Sequence, residues 1–127
     1  MNNGFLKEFY ERLLEIHNEF VFLYLVGKSL ALRGNYKKET FWYFLNRYFN
    51  SNNLGKLELV SRKKKYFIFR LYGSPFKTRK KQFSCAVIAG LLAGFVENHY
   101  KVPTGAIETK CISMGHKYCE FKVKLLK

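Results

Sequence analysis

The residues of this chain whose type and spacing favour chemistry are its three cysteines. Cys111 and Cys119 each lie four residues from Gly115, between two runs that alternate apolar and polar residues, the pattern of a β-hairpin. Folding the hairpin about the glycine would place the two sulfurs opposite each other. Cys85 lies upstream, where an apolar segment with helical spacing begins. A hairpin pair plus one distant thiol favours a metal corner over a disulfide framework.

Strand alternation predicts which way the hairpin side chains point. Cys111 would share a face with Ile107 and Thr109, and Cys119 would share a face with Phe121 on the second strand. Both thiols are therefore expected to point toward the apolar side. The competing interpretation is that the cysteines are small buried hydrophobic residues, as free cysteines often are.

A zinc ion held by three thiolates needs a fourth ligand, which is either another side chain or water. Glu108 and His116 are the nearest donors in sequence, whereas His17 and His99 are more remote. Glu108 is three residues from Cys111, so on a regular strand the two would face opposite sides. Ligation by Glu108 therefore requires a β-bulge or an irregular strand start.

Helical periodicity predicts the elements that would hold these residues. Apolar residues at three- and four-residue spacing predict a long helix over residues 4–33, apolar on all sides near residues 20–26 and hence buried there. A second helix fits residues 37–48, and a third runs from about residue 83 to residue 100.

The third helix has two features that bear on the site. Cys85 lies at its N-terminus, where the helix dipole and nearby lysines favour the thiolate. Ala86, Gly90 and Gly94 recur at four-residue spacing, so the backbone of another element could approach closely along that side.

The remaining runs predict strands. Alternation over residues 56–60 and 66–72 indicates a hairpin with a basic tip at residues 61–65. The resulting order is ααββαββ, with hairpin-joined strands. It predicts an α+β fold in which helices cover an antiparallel four-stranded sheet of two hairpins, in a single domain over residues 1–127.

Composition adds a strong positive charge. The chain has 127 residues and a net charge of +14, with 23 lysines and arginines against nine acids. Such a charge favours polyanionic partners, although it is also typical of a solvated, compositionally biased surface. Tyr66 and Phe76 are candidate base-stacking residues in the alternative of nucleic-acid binding. The candidate phosphate-binding residues are Lys63, Lys64, Lys65, Lys77, Arg79, Lys80 and Lys81.

The same sequence argues against membrane insertion and secretion. The most apolar run, residues 20–26, is far shorter than the roughly 20 residues of a membrane span. The first residues lack the features of a signal peptide, so we expect a cytoplasmic protein with reduced thiols.

Three segments resemble a known family. Residues 90–97 and 107–123 are similar to the C-terminal signature of the 4-vinyl-reductase domain family, and residues 53–59 resemble the start of its first hairpin. The family is related to heme-nitric-oxide sensor domains and to Golgi-trafficking complex subunits, and it is commonly dimeric. The resemblance is specific at Glu108, Cys111, Gly115 and Cys119.

The resemblance implies a zinc ion, as in the aromatic-sensing transcription activators that carry such a domain. It also implies a small apolar ligand between the helices and the sheet, although aromatic stripes more often form packed core. A closed shell of four ligands would make the zinc structural. The implied zinc ligands are Cys85, Glu108, Cys111 and Cys119. The candidate ligand-contacting residues are Trp42, Phe44, Phe67, Phe69, Leu91 and Phe95.

Taken together, these patterns predict a zinc-containing domain that binds a small hydrophobic ligand. We expect a homodimer formed through the long N-terminal helix, with output through a protein partner. The alternatives are a basic nucleic-acid-associated protein, an accessory protein or enzyme of tetrapyrrole 4-vinyl reduction, and a scaffold. Intrinsic catalysis is not expected, because the sequence has no glycine-rich dinucleotide loop, no nucleophile triad and no paired carboxylates.

Overall fold

A computed structural model describes residues 4, 6–8, 20–32, 41–77 and 85–126. Its helices are α1 (Phe20–Leu32), α2 (Phe41–Ser51) and α3 (Ala86–Tyr100). Its strands are β1 (Lys56–Arg62), β2 (Tyr66–Tyr72), β3 (Thr104–Lys110) and β4 (Cys119–Leu125). A short 3-10 helix, Ile112–Met114, lies between β3 and β4.

The four strands form one antiparallel sheet in the order β1-β2-β4-β3. The two predicted hairpins are therefore present, and the α+β prediction is confirmed. The last strand of the chain lies in the interior of the sheet, where it pairs with β2 as well as with β3. This arrangement brings the start of β4 next to the end of β2, because Cys119 pairs with Leu71.

The sheet has one buried and one open face among the described elements. Phe67 and Phe69 of β2 and Phe121 of β4 point into the core with α2 and α3. Their neighbours along the strands, such as Tyr66 and Lys122, alternate onto the opposite face. This one-sided burial is typical of antiparallel sheets.

Helices α1 and α3 cross with almost no space between their backbones. A Cβ atom on Gly90 would overlap the carbonyl oxygen of Tyr24 and lie 2.8 Å from the backbone nitrogen of Lys28. A Cβ on Gly94 would lie 2.7 Å from the Lys28 carbonyl oxygen. The predicted close approach along this side of α3 is confirmed, and the approaching element is α1.

The predicted N-terminal helix is described only in part. Residues 20–32 are helical, and residues 4 and 6–8 are helical as well, while residues 9–19 and 33 lie outside the described residues. The prediction of burial on all sides near residues 20–26 is wrong. Leu23 and Gly27 face α3, but Phe22, Leu25 and Val26 are exposed, because the helix contacts α3 along one side only.

The other helix bounds differ slightly from the prediction. Helix α2 continues to Ser51, beyond the predicted end at residue 48, while residues 37–40 lie outside the described residues. Helix α3 begins at Ala86 with Cys85 as its N-cap. None of the helices that the structure describes has the length and apolar character needed to cross a membrane.

Candidate metal centre

Four side chains from separate parts of the fold meet beneath the sheet. Cys85 precedes α3, Glu108 lies near the end of β3, Cys111 follows β3, and Cys119 begins β4. Each offers one donor atom, and the four donor atoms lie within 4.8 Å of one another. The cysteines are fully buried, so the group is shielded from solvent.

An irregularity in β3 turns Glu108 inward. Glu108 pairs with Phe121 and Lys110 pairs with Glu120, so the register shifts across Thr109. This inserts one extra residue between Glu108 and Cys111, and both can therefore face the core although they are three residues apart. The bulge that ligation by Glu108 requires is present.

The same shift makes part of the face prediction wrong. Ile107 is 62% exposed and Thr109 is also exposed, so neither shares the buried side of Cys111. Uninterrupted alternation from Cys111 predicted the opposite, because it ignored the extra residue.

Hydrogen bonds from the protein hold the group in place. The backbone N–H of Cys85 donates to Glu108 Oε1 at 3.2 Å, and the N–H of Ile112 donates to Cys119 Sγ at 3.4 Å. The Sγ atoms of Cys85 and Cys119 are 3.3 Å apart, and Ser74 Oγ lies 3.2 Å from Cys85 Sγ. Donors that point at sulfur and carboxylate oxygen stabilise negative charge there.

Without a cation, however, the site disfavours that charge. Hydrogen bonding to Cys111 and Cys119, together with burial, raises the pKa of the Cys85 thiol far above its ordinary value. Burial and the neighbouring Cys111 raise the pKa of Glu108 to about 8. The prediction that the helix dipole would favour a Cys85 thiolate is therefore wrong for the metal-free cluster. The helix N-terminus is outweighed by three other acidic groups.

One polar atom in the cluster lacks a partner among the described residues. Glu108 Oε2 is buried and accepts no hydrogen bond from them. A buried carboxylate oxygen without a donor is costly, so such an atom calls for a ligand. Three soft sulfurs and one carboxylate oxygen are close enough to hold a metal ion.

The other candidate donors do not join this group. His116 is exposed beyond Gly115, the residue in the left-handed conformation (φ of 97°) where the 3-10 helix ends. His99 stacks on Phe41, with ring centroids 4.1 Å apart. His17 lies outside the described residues.

Sequence reasoning missed two participants. Ser74 is buried beside Cys85 and accepts a hydrogen bond from the N–H of Phe76, and the Ile112 N–H reaches Cys119. The only sequence signal for Ser74 is its position in a Gly-Ser-Pro turn, and none exists for a backbone N–H.

The six candidate ligand-contacting residues meet in the core between helices and sheet. The ring of Trp42 lies 5.6 Å from that of Phe67, and the ring of Phe44 lies 5.4 Å from that of Phe95. Trp42 and Phe44 are half-buried, whereas Phe67, Phe69, Leu91 and Phe95 are fully buried. All six belong to one hydrophobic cluster, so they pack against one another.

The candidate phosphate-binding residues fall in two places. Lys63, Lys64 and Lys65 form the exposed tip between β1 and β2, and Lys77 is also exposed. The other three, at positions 79–81, lie outside the described residues. The suggestion that Phe76 stacks on bases is not supported, because its ring is half-buried against the core.

Comparisons with known proteins agree with this architecture. Among solved structures, the phenol-responsive sensory domain of the transcription activator PoxR, bound to phenol, has a TM-score of 0.79 at 11% identity. The match covers 99% of this chain and 75% of that one. A vinyl-4-reductase family protein from Methanocaldococcus jannaschii has a TM-score of 0.69 at 22% identity, covering 97% and 78%. At these identities the likeness is one of fold.

Sequence comparison gives the family. The family model of the 4-vinyl-reductase domain matches residues 74–125, which include all four donor residues of the cluster. The uncharacterized protein MJ1642 of Methanocaldococcus jannaschii is 31% identical over 121 residues, covering 91% of this chain and 70% of that protein. The chain belongs to the 4-vinyl-reductase domain family.

Proposed function

We propose that this protein is a zinc-containing domain that binds a small hydrophobic ligand and passes its response to a protein partner. The observation that carries the metal part is the buried cluster of three thiols and a carboxyl group, in which Glu108 Oε2 lacks a partner among the described residues. The ligand part is supported by the fold shared with a phenol-responsive sensory domain.

Zinc suits this donor set better than the harder cations. Thiolates select zinc among the common divalent ions, whereas calcium and magnesium take oxygen ligands. Cys85, Cys111, Cys119 and Glu108 would supply four ligands, the number found in closed structural sites. The ion would neutralise the thiolates and join the start of α3 to the last hairpin. We therefore assign it a structural role, in which it stabilises the fold.

Metal analysis tests this directly. Protein purified under reducing conditions should contain one zinc per chain by elemental mass spectrometry. The Cys111→Ser variant should lose most of it, whereas Ser61→Ala, on the strand at the far side of the sheet, should retain it. A chain that folds normally and never retains zinc would contradict the assignment.

The proposed ligand site is the aromatic region where α2 meets the sheet. Trp42 is half-buried there, between Phe67 of β2 and the guanidinium of Arg62, which lies 5.5 Å from its ring. A small apolar molecule would have to displace some ring contacts, gaining apolar burial in exchange.

Trp42 is the only tryptophan, so it provides a single reporter. Phenol added to ¹⁵N-labelled protein should shift the one indole N–H resonance in a saturable way. Cyclohexanol, which lacks the aromatic ring, tests whether aromaticity matters. An unmoved resonance, together with no small molecule retained in native mass spectra, would count against ligand binding.

We also propose that the protein is a dimer formed through α1. Its side away from α3 exposes large apolar side chains, with Phe22 at 49%, Leu25 at 55% and Leu30 at 54% exposure in the single chain. Apolar patches of this kind mark interaction surfaces. A second copy presenting the same helix would cover them symmetrically.

A further inference from the structure

The open face of the sheet carries a cluster that neither the metal nor the ligand proposal uses. Tyr66 and Ile68 of β2 and Lys122 and Lys124 of β4 alternate onto the face opposite the buried core. They are neighbours across the strands, since Tyr66 pairs with Lys124 and Ile68 pairs with Lys122. Ile107 of the edge strand β3 pairs with Lys122 and extends the row.

The adjoining hairpin tip adds charge to the same corner. Lys63, Lys64 and Lys65 are exposed there, and the Lys65 carbonyl oxygen accepts a hydrogen bond from the N–H of Leu125 at 2.8 Å. This bond fixes the tip beside the end of β4. We call the surface formed by residues 63–66, 68, 107, 122 and 124 the basic sheet corner.

Positive charge in this corner is not neutralised by the described residues. Their two ion pairs are Lys28–Glu97 and Arg70–Glu120, neither of which includes a lysine of the corner. The second pair lies further along the open face, where Arg70 also pairs across the strands with Glu58. Charge on the face is therefore segregated, with acids in its middle and five lysines at one end.

The corner also presents an aromatic ring together with a cation. The Lys122 ammonium lies 4.6 Å from the centroid of the Tyr66 ring. A lysine side chain is flexible, so it can move to a phosphate while a base takes its place over the ring. Stacking rings beside cations on an open antiparallel sheet is how several modules bind unpaired nucleotides.

We propose that the basic sheet corner binds single-stranded nucleic acid. The lysines would contact successive phosphates, and Tyr66 would stack on one base. This partner combines negative charge with flat aromatic faces, which a bare polyanion lacks. Double-stranded nucleic acid offers no unstacked base for Tyr66, so it should bind more weakly.

Fluorescence anisotropy with labelled oligouridylate and oligothymidylate of roughly ten nucleotides measures the interaction. Binding should weaken as salt rises, with a slope of log affinity against log salt no steeper than about −3.5 for five phosphate contacts. The stronger of the two oligonucleotides identifies RNA or DNA as the preferred strand.

Matched charge reversals locate the site. Lys122→Glu with Lys124→Glu should weaken binding by about tenfold or more. Lys56→Glu with Lys77→Glu changes net charge equally, at the other end of β2, and should weaken binding much less. Equal loss in both pairs would overturn the proposal, since only overall charge would then matter.

The ring is tested separately. Tyr66→Ala should lower affinity by about fivefold or more with the salt slope unchanged, and Tyr66→Phe should restore it. Circular dichroism and zinc content verify that each variant is folded. The proposal is overturned if single strands do not bind at low salt. It is equally overturned if duplex DNA or phosphatidylglycerol vesicles bind as tightly, because the face would then recognise charge alone.

Discussion

Single residues decide whether the buried cluster can hold a cation. Four acidic groups within 4.8 Å would repel one another if all were ionised, and the raised pKa values of Cys85, Cys119 and Glu108 express that cost. A divalent cation reverses the balance, because it favours the charged form of every ligand. The cluster is therefore a site whose chemistry depends on what occupies it.

Glu108 is the ligand that a conservative change tests best. Glu108→Gln keeps the shape of the side chain but removes its negative charge. We expect zinc affinity to fall by about tenfold or more, measured by competition with a chromophoric chelator. Glu58→Gln, an exposed glutamate on β1, is the matched control and should not change affinity. Unchanged affinity in Glu108→Gln would mean that the fourth ligand is water or another group.

The pH dependence of stability should change sign with zinc. In the metal-free protein, the folded-state pKa of Glu108 is raised from 4.5 to about 8 by burial and Cys111. This group therefore contributes stability that is fully present below pH 4.5 and is lost as pH rises through 8. In the zinc form, protons compete with the metal for its ligands, so stability falls as pH falls.

Urea unfolding at both ends of that pH range, with chelator and with zinc, measures the two trends. Reducing agent keeps the thiols free in both series. Parallel trends would show that the cluster does not titrate against a metal.

At the level of elements, α1 organises one side of the fold by contacting both α3 and the edge strand. Its Tyr24 hydroxyl accepts a hydrogen bond from the N–H of Ala106 at 3.1 Å. Its Lys28 ammonium binds Glu97 Oε1 at 2.9 Å and the Thr104 carbonyl at 3.1 Å. Helix α1 thus satisfies polar groups along β3 while its glycine packs against α3.

The helix crossing gives a stability prediction. Gly90→Ala places a methyl group against the backbone of α1 at Tyr24 and Lys28, which cannot rotate away. We expect a loss of about 3 kcal/mol, or separation of the helices, by urea unfolding. Gly105→Ala is the control, because its Cβ would lie in ordinary contact, 3.8 Å from Leu126 Cδ1. A Gly90→Ala protein as stable as the original would mean that the helices are further apart than described.

For the molecule as a whole, the metal links elements that are distant in sequence. Cys85 and Cys119 are separated by 34 residues, and their sulfurs are 3.3 Å apart. A cation shared by α3 and the last hairpin stabilises the fold only in the folded state, where all the donors are together.

Zinc removal should therefore lower the melting temperature substantially. Free zinc at a thousand times its dissociation constant stabilises by about 4 kcal/mol, so we expect a fall of roughly 10 °C or more on chelation, measured by calorimetry. Returning zinc should restore the transition. A variant with all three cysteines replaced by serine should not respond to zinc, and a response from it would place the metal elsewhere.

Dimer formation is tested at the same scale. Leu25→Glu with Leu30→Glu puts charge on the exposed side of α1 and should convert the dimer to a monomer in light scattering. Glu58→Leu, on the open sheet face, should leave the dimer intact. A dimer that persists in the α1 variant would place the interface on another surface.

Sequence by itself determined the periodic features of this protein. Alternation and helical spacing predicted the α+β order, the two hairpins and the start of α3 at Cys85, because side-chain periodicity follows directly from strand and helix geometry. The small residues of α3 likewise predicted a close backbone approach, since glycine alone leaves room for one.

Only the tertiary structure decided where those periods break and what covers each face. The extra residue at Thr109 turns Glu108 inward and Ile107 outward, and no residue type in β3 announces it. The exposed side of α1 and the open corner at Tyr66 depend equally on which neighbours pack where. Local pattern fixes the direction of a side chain within its own element, whereas burial and contact are set by elements far away in the chain.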